Sequence, residues 1–281
     1  MCAATVSALP RNRAAPVPPI DPARYAPTAA HPVRAKARYL RADSQVQTHS
    51  HAWAQVAFSA TGVVRMTAGH CTFIVPPSRA LWIPPLVEHR VSVVEDTELR
   101  TLYIHQPDGR CGPDPAAPDD PRWRDCRVLE VSSLLRELVL NLSTEPGVRD
   151  ATERERSLFA LVLDELRCAR AVPLGVDLPR DKRLRSLCEA VLEMPTRHAT
   201  LEAWARDSGA SARTVARLFR SELGTTFLQW RQQVLLAKAV SMASRKLPMN
   251  RIASELGYAS ASAFSAMVRR SVGAPPSRFL A

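Results

Sequence analysis

Near its carboxyl end the chain reads Thr200-Leu-Glu-Ala-Trp-Ala-Arg-Asp-Ser-Gly-Ala-Ser-Ala-Arg-Thr-Val-Ala-Arg-Leu-Phe-Arg220. Thirty residues later a second stretch reads Asn250-Arg-Ile-Ala-Ser-Glu-Leu-Gly-Tyr-Ala-Ser-Ala-Ser-Ala-Phe-Ser-Ala-Met-Val-Arg-Arg270. Each stretch places two short amphipathic segments around a glycine, which is the pattern of a helix-turn-helix motif. Two such motifs in tandem predict a domain that lays two helices into the major groove of DNA.

Capping residues support both helix-turn-helix assignments. Thr200 and Ser211 suit the N-caps of the first pair of helices, and Ser260 suits the N-cap of the last helix. Gly209 and Gly257 fall at the turns, where a positive φ is usually needed. The segment between the motifs, residues 226–244, predicts one long helix. At 1.5 Å per residue it spans about 27 Å, close to the roughly 34 Å of one DNA turn.

The second helix of the first motif carries a stripe of arginines. Arg213, Arg217 and Arg220 recur at i, i+4 and i+7, opposite the apolar face. A guanidinium fork matches the O6 and N7 edge of guanine, so we expect Arg213 and Arg217, with Thr214, to read bases. Arg220 is expected nearer phosphate. The alternative is an ordinary solvated basic face.

The corresponding stripe of the second motif is chemically poorer. Ser262 and Ser265 are the residues expected to face base edges there, and Arg269 and Arg270 are expected to contact phosphate. This helix is therefore expected to discriminate less between sequences than the first.

Charge is concentrated in the same part of the chain. Residues 178–281 hold 17 Lys and Arg against 7 Asp and Glu, whereas residues 1–177 hold 21 against 20. Almost all of the formal net charge of +11 therefore lies on the segment with the two motifs. This split is typical of a phosphate-binding module joined to a neutral domain, although a merely soluble basic domain would also show it.

The amino-terminal half has a different pattern. Short runs rich in β-branched residues, broken by Gly and Pro, predict a small β-barrel, and hence an α+β chain with an all-α carboxyl domain. The expected organisation is a disordered Pro/Ala-rich tail (1–32), a barrel (33–106), a loop with amphipathic helices (107–170), a linker (171–180) and the double helix-turn-helix domain (181–281). The amphipathic helices predict either a cap on the barrel or a dimer interface.

Histidines mark a candidate pocket in the barrel. His49 and His51 share one face of a strand, and His89 follows forty residues later. Together with Trp53 and Gln55 they are expected to line an effector pocket. Three imidazoles and the Gln55 oxygen would also suit Fe, Mn, Ni or Zn, but we expect a pocket without a cofactor rather than a metal site at His49, His51, Gln55 and His89.

The carboxyl domain resembles that of the AraC/XylS family of transcriptional regulators over about residues 182–280. The motifs that carry the resemblance are Ser211-Ala-Arg-Thr-Val-Ala-Arg-Leu-Phe-Arg220, Ile252-Ala-Ser-Glu-Leu-Gly-Tyr258, Ser262-Ala-Phe-Ser265 and Gly273-Ala-Pro-Pro-Ser-Arg-Phe279. The resemblance implies seven helices, a shared linker helix and control of transcription. The chain departs from it in the second recognition helix, where family members often carry larger polar residues.

The barrel region is similar to the cupin-type sensor of some AraC regulators over about residues 40–105. The residues that carry this similarity are His49-Ser-His51, Gln55 and Gly62, then Trp82-Ile-Pro-Pro-Leu-Val-Glu-His89. Gln55 stands where a cupin has a carboxylate, and Leu86 stands where a glycine is usual.

These observations favour a non-enzymatic, sequence-specific transcriptional regulator controlled by a small-molecule effector. The alternatives are a cupin metalloenzyme fused to a DNA-binding domain and an architectural DNA protein without sequence preference. The expected partners are double-stranded DNA, the effector, RNA polymerase and a second copy of the chain, with no membrane. Six scattered cysteines without a C-x-x-C motif indicate reduced thiols and a cytoplasmic location.

Overall fold

The computed structural model describes residues 15–19, 21–107, 110–113, 120–146, 150–172 and 174–280. Strands dominate the first half of these residues and helices the second, so the α+β prediction is confirmed. The strands are β1 (Ala15–Val17), β2 (Val33–Leu40), β3 (Ser44–His49), β4 (Ala54–Ser59), β5 (Val64–Ala68), β6 (Cys71–Val75), β7 (Arg79–Ile83), β8 (His89–Val93), β9 (Thr97–Ile104), β10 (Arg127–Glu130), β11 (Ala171–Val172) and β12 (Gly175–Asp177). The α-helices are α1 (Ser133–Asn141), α2 (Glu153–Cys168), α3 (Lys182–Glu193), α4 (Leu201–Asp207), α5 (Ala212–Leu223), α6 (Phe227–Ser244), α7 (Met249–Glu255), α8 (Ala261–Val272) and α9 (Pro276–Phe279).

The strands form two six-stranded sheets. Their orders are β1-β3-β8-β5-β6-β12 and β11-β10-β7-β4-β9-β2. Alternation along β7 shows how the second sheet is buried on both faces. Leu81 and Ile83 belong to the core that also holds residues of the first sheet, whereas Ala80 and Trp82 belong to the core under α1 and α2.

Helices α1 and α2 cover the outer face of the second sheet. Their apolar faces are buried in one cluster with that sheet, as the cap alternative predicts. The buried helix residues are Leu135, Leu138, Val139, Phe159, Val162 and Leu166. Leu134 and Leu161 point the other way and stay 49% and 47% exposed.

The expected domain boundaries need correction at three places. The tail expected over residues 1–32 contains β1 and a 3-10 helix at Pro22–Tyr25, while residues 1–14 and 20 lie outside the described residues. The barrel expected to end at residue 106 also takes in β10. The linker expected over residues 171–180 contains β11 and β12, which pair with β10 and β6. Strands of two to four residues are too short to show alternation, and here they form because sheet edges offer unpaired backbone groups.

Helices α3 to α9 are the seven helices that the family resemblance implies, and α6 runs through their centre. Its first half packs with α3, α4 and α5 in a core that holds Trp204, Phe219 and Trp230. Its second half packs with α7, α8 and α9 in a core continuous with the sheets. The two helix-turn-helix motifs are therefore held by one 18-residue helix.

Two hydrogen bonds, one part-buried and one buried, join the sheets to the helices. The Trp230 indole N–H donates to the Asp177 carbonyl at 2.7 Å. The Arg79 guanidinium, 2% exposed at the start of β7, donates through Nη2 to the Phe279 carbonyl at 2.8 Å. Ion pairs with more exposed partners lie further out, between Arg65 and Glu193 at 2.6 Å and between Arg245 and Glu95 at 2.8 Å.

Two further expectations concern the cysteines and the absence of a membrane-spanning segment. Among the described residues Cys71, Cys126, Cys168 and Cys188 form no disulfide bond, and Cys2 lies outside the described ranges. Among the helices described, none combines the length and the apolar character needed to cross a bilayer.

We predict that Arg79→Met lowers the free energy of unfolding by about 2–3 kcal/mol, because a buried charged donor is lost and the Phe279 carbonyl keeps no partner from β7. Arg65→Met, which breaks an ion pair whose Glu193 side chain is 66% exposed, should cost less than about 1 kcal/mol. Urea unfolding of the full chain measures both. Equal losses for the two variants would contradict a special role for Arg79.

Candidate DNA-contacting surface and ligand cavity

The two predicted helix-turn-helix motifs are present. Gly209 lies between α4 and α5 at φ 67°, and Gly257 lies between α7 and α8 at φ 79°. The Ser211 and Ser260 hydroxyls cap α5 and α8 by accepting the N3 backbone N–H at 3.1 Å in both cases. Both turns therefore use the residues that the sequence indicates, and α5 and α8 are the candidate recognition helices.

The arginine stripe on α5 is open to solvent. Arg213, Arg217 and Arg220 are all exposed, and no acidic side chain in the described part of the chain pairs with them. Thr214 is exposed too, but its hydroxyl lies 2.9 Å from that of Ser211. The three cations are therefore available to an anionic partner, while the Thr214 hydroxyl already has a partner within the cap.

The residues of α8 that are expected to contact DNA differ in their exposure to solvent. Ser262, Arg269 and Arg270 are exposed, whereas Ser265 is half-buried. Arg269 and Arg270 lie in the last turn of the helix, opposite the buried Phe264, Met267 and Val268. The positive charge of α8 is thus confined to its carboxyl end, unlike the stripe along α5.

The structure brings the predicted histidines together inside the first domain. The His49 and His89 rings are 4.3 Å apart between centroids, and His51 and His89 are 5.2 Å apart. Trp53 stacks on His51 at 5.3 Å with an interplanar angle of 6°. His51 Nε2 lies 2.9 Å from Gln55 Oε1. All five residues expected in the pocket therefore form one cluster.

Hydrogen bonds hold the three imidazoles in place. Nδ1 of His49 and of His89 lies 2.9 Å from a backbone carbonyl, so Nδ1 carries the proton in these two neutral rings. Both nitrogens of His51 lie beside an oxygen, Nδ1 at 2.8 Å from the Trp53 carbonyl and Nε2 at 2.9 Å from Gln55 Oε1, so a neutral His51 donates to only one of them. Burial lowers the pKa of all three, that of His89 to about 3. His89 Nε2 and Trp53 Nε1 are buried without a hydrogen-bond partner among the described residues. Buried polar atoms without a protein partner are typical of places where a ligand or a water molecule binds.

Two further residues of this cluster, Tyr103 and Lys36, were not expected from the sequence. Tyr103 on β9 contacts the His51 ring at 5.0 Å between centroids, and the Lys36 ammonium on β2 donates to the Tyr103 hydroxyl. Lys36 is only 8% exposed. Arg34, Lys36 and Arg38 alternate with small apolar residues, a pattern that ordinarily indicates a solvent-facing row of charges. Here that row faces inward, and no sequence signal distinguished the two cases.

A small cavity adjoins the cluster. Its volume is about 30 Å³, close to the volume of one water molecule. Its lining consists of Pro19, Lys36, Arg38, Leu40, Val46, His49, Gln55, Val91, Leu99 and Thr101. The Pro18 carbonyl accepts a 2.8 Å hydrogen bond from Arg38, which ties the amino-terminal segment to β2 beside the cavity.

Within the described residues, no three His, Cys, Asp or Glu side chains are arranged so that they could hold a metal ion. Gln55 engages His51 Nε2, and the rings are tilted against each other by 55° to 70° at His89.

Leu86 explains one departure from the cupin pattern. Its φ is 64°, in the left-handed region where glycine is favoured, and its N–H donates to the His51 carbonyl at 2.8 Å. Its side chain is 73% exposed. The backbone therefore keeps the conformation expected of a glycine although a leucine occupies the position, at a cost of about 1 kcal/mol or more.

The low pKa of His89 predicts a pH dependence. Between about pH 6.5 and pH 3 the unfolded chain binds a proton that the folded chain does not, so acidification destabilises the fold by up to about 1.4 kcal/mol per pH unit. We expect His89→Leu to flatten the decline in unfolding free energy between pH 7 and pH 4.5. Urea unfolding across this pH range measures the decline, and parallel curves for the wild-type chain and the variant would refute the assignment.

Both halves of the chain match known protein families. A family model described as a helix-turn-helix domain matches residues 204–281, and one described as an AraC-like ligand binding domain matches residues 33–162. The chain is 31% identical over 233 residues to the HTH-type transcriptional regulator NimR of Escherichia coli K12, covering 83% of this chain and 81% of that protein. It is 26% identical over 133 residues to the arabinose operon regulatory protein of the same organism, covering 46% of each.

Among solved structures, ToxT from Vibrio cholerae aligns over 88% of this chain and 97% of its own, at 10% identity and a TM-score of 0.35. A similarity this low supports no conclusion about function. The sequence matches are sufficient by themselves, because the NimR match spans most of both proteins and both family models fall on the expected domains. The chain therefore belongs to the AraC family of helix-turn-helix transcriptional regulators.

Proposed function

We propose that this regulator reads its operator mainly with α5, anchors itself on phosphate with α8, and responds to a small molecule bound beside the histidine cluster. The observation that carries the DNA-reading assignment is the row of exposed, unpaired arginines on α5. Three cations on one helical stripe repel each other unless an anionic partner meets them. Arg213 and Arg217 are placed to reach base edges, and Arg220, a turn further on, to reach phosphate.

Thr214 and helix α8 are assigned fewer base contacts than the arginines of α5. Thr214 retains its methyl group for contact with thymine while its hydroxyl stays with Ser211. Ser262 is the exposed small polar residue at the amino end of α8 and is assigned a base contact, and half-buried Ser265 a lesser one. Arg269 and Arg270 are assigned to phosphate, where a point charge is sufficient and base identity is not read.

Helix α6 supports binding by both motifs at once. Its 18 residues measure about 27 Å, and the recognition helices lie at its two ends. Because ten of its residues are buried, it acts as a rigid spacer rather than a hinge. The two recognition helices would therefore meet successive segments of one groove on the same side of the duplex.

The ligand cavity must enlarge to admit an effector, because 30 Å³ holds no organic molecule. The segment around Pro18 and Pro19 breaks few contacts when it moves. Among the described residues, it is held by the pairing of the three residues of β1 with β3 and by the hydrogen bond from Arg38 to the Pro18 carbonyl. We assign effector entry to its displacement, with His49, His51, Trp53, Gln55 and His89 providing the walls and polar contacts.

Effector binding is proposed to act on DNA binding through the contacts between sheets and helices. Strand β8 begins at His89, and Glu95 just beyond its end pairs with Arg245 after α6. A homodimer is assigned to the face of α1 and α2 that carries exposed Leu134 and Leu161. Contact with RNA polymerase is expected of a regulator that activates transcription, and no residue is assigned to it.

The test of the function begins with selection of bound sequences from random duplex DNA by the full chain. On the selected site, Arg217→Ala should weaken binding by about 1–3 kcal/mol and relax preference at one base pair, because a bidentate guanine contact is lost. Arg217→Lys is the matched control. It keeps the charge, so it should retain affinity for random DNA while losing the same preference. Equal weakening of Arg217→Ala on every sequence would show that Arg217 does not read bases.

A second substitution isolates the phosphate contacts of α8. Arg269→Ala should weaken binding to selected and random DNA alike, and should reduce the slope of log K against log salt by about 1. Arg167→Ala, on α2 and paired with Asp164, is the control and should leave the slope unchanged. Binding titrations at four salt concentrations measure it, and a wild-type slope for Arg269→Ala would remove this residue from the interface.

A further inference from the structure

We propose that the effector is an organic anion with a single carboxylate on an apolar body, and that Lys36, assisted by Arg38, binds the carboxylate. This inference rests on the proposed ligand cavity beside the histidine cluster and names the chemical class that the cavity selects. It is carried by a buried ammonium group that has no acidic partner, at a place where the family resemblance assigns no residue.

Lys36 is buried, which is rare for a lysine without an acidic partner. Its side chain is 8% exposed, its ammonium lies 4.7 Å from the centre of the Tyr103 ring, and its hydrogen bond goes to the neutral Tyr103 hydroxyl. No carboxylate among the described residues pairs with Lys36 or with Arg38. A buried cation without a counter-ion is strongly destabilising, so proteins retain one where it binds something.

The surroundings add positive charge and no negative charge. Arg38 follows Lys36 on the same face of β2 and lines the same cavity, which has no Asp or Glu in its lining. The other titratable groups that face Lys36 are His49 on β3, His51, His89 on β8 and Tyr103 on β9. Burial and the neighbouring Arg38 lower the pKa of Lys36 to about 8, so the ammonium is still charged at neutral pH.

The Trp53 indole N–H is also buried and has no acceptor among the described residues. Trp53 contacts the Tyr103 ring at 5.7 Å between centroids, but it does not line the cavity. The carboxylate is therefore assigned to the Lys36 ammonium, which lies at the cavity wall and is satisfied by carboxylate oxygens.

The rest of the lining limits the class further. Leu40, Val46, Val91 and Leu99 make up the apolar part of the cavity wall. A polyphosphate or a sugar would leave polar groups unsatisfied against these side chains. A monocarboxylate with a hydrocarbon or aromatic body matches one buried cationic end and an apolar wall.

The first measurement needs no ligand. If Lys36 is an unpaired buried cation, Lys36→Met and Lys36→Gln should both raise the Tm of the full chain, by about 2–4 °C for each kcal/mol of burial penalty removed. The Gln variant keeps a hydrogen-bond donor for Tyr103, so it separates charge from hydrogen bonding. Lys238→Gln is the matched control, because Lys238 is a half-buried lysine that donates to a backbone carbonyl outside the cavity. A lower Tm for both Lys36 variants would overturn the proposal.

The second measurement uses a panel of sodium carboxylates, from acetate to octanoate and including benzoate, each paired with its neutral primary amide. At least one carboxylate should raise the Tm of the wild-type chain and of Lys238→Gln, and should do so tenfold less effectively, by concentration, in Lys36→Gln. If amides act as well as acids, the cavity binds ligands but the anionic class is wrong. If no carboxylate raises the Tm, the proposal fails, while selection of DNA sequences still tests the regulator assignment separately.

Discussion

The architecture depends on the burial of helix α6 along its whole length. Ten of its side chains are buried, the first few among the helices of the first motif and the later ones in the core shared with the second motif and the sheets. A helix with ten of its 18 side chains buried is not free to rotate or slide, because its neighbours are packed at the density of a crystal. The spacing and relative orientation of α5 and α8 are consequences of this packing rather than of any direct contact between them.

In contrast to the well-packed helix α6, the ligand-binding domain contains several locally unfavourable groups. The domain accepts features that weaken the fold, among them the two buried imidazoles of His51 and His89, an ammonium without an acidic partner among the described residues, and an exposed leucine in a left-handed conformation. They gather around one end of the sheets, at Lys36, His89 and Leu86. Clustering of unfavourable local choices at one place is typical of a functional site, since packing elsewhere has to compensate for them. The well-packed outer face around Trp82 and Trp123, with rings 4.9 Å apart, carries none of them.

The contact between the two halves is both apolar and polar. The core of the second motif is continuous with that of the sheets, and Arg79 reaches from β7 to the last helix of the chain. Ordinary linkers leave adjoining domains free to move. Here the segment expected to be a linker is itself paired into both sheets through β11 and β12. The two halves are therefore joined by packed elements and by paired strands in the described part of the chain.

The helix-turn-helix motifs could be predicted from the sequence, because their caps, glycine turns and apolar stripes are local features within some twenty residues, as at Thr200, Gly209 and Ser211. The i, i+2 spacing also indicated His49 and His51, although β3 ends at His49 and His51 lies beyond the strand. The tertiary structure alone shows that Lys36 faces inward and that β10, β11 and β12 complete the sheets. Both features depend on pairing between residues far apart in the chain, and the alternation of a strand identifies two faces without telling which one becomes the interior.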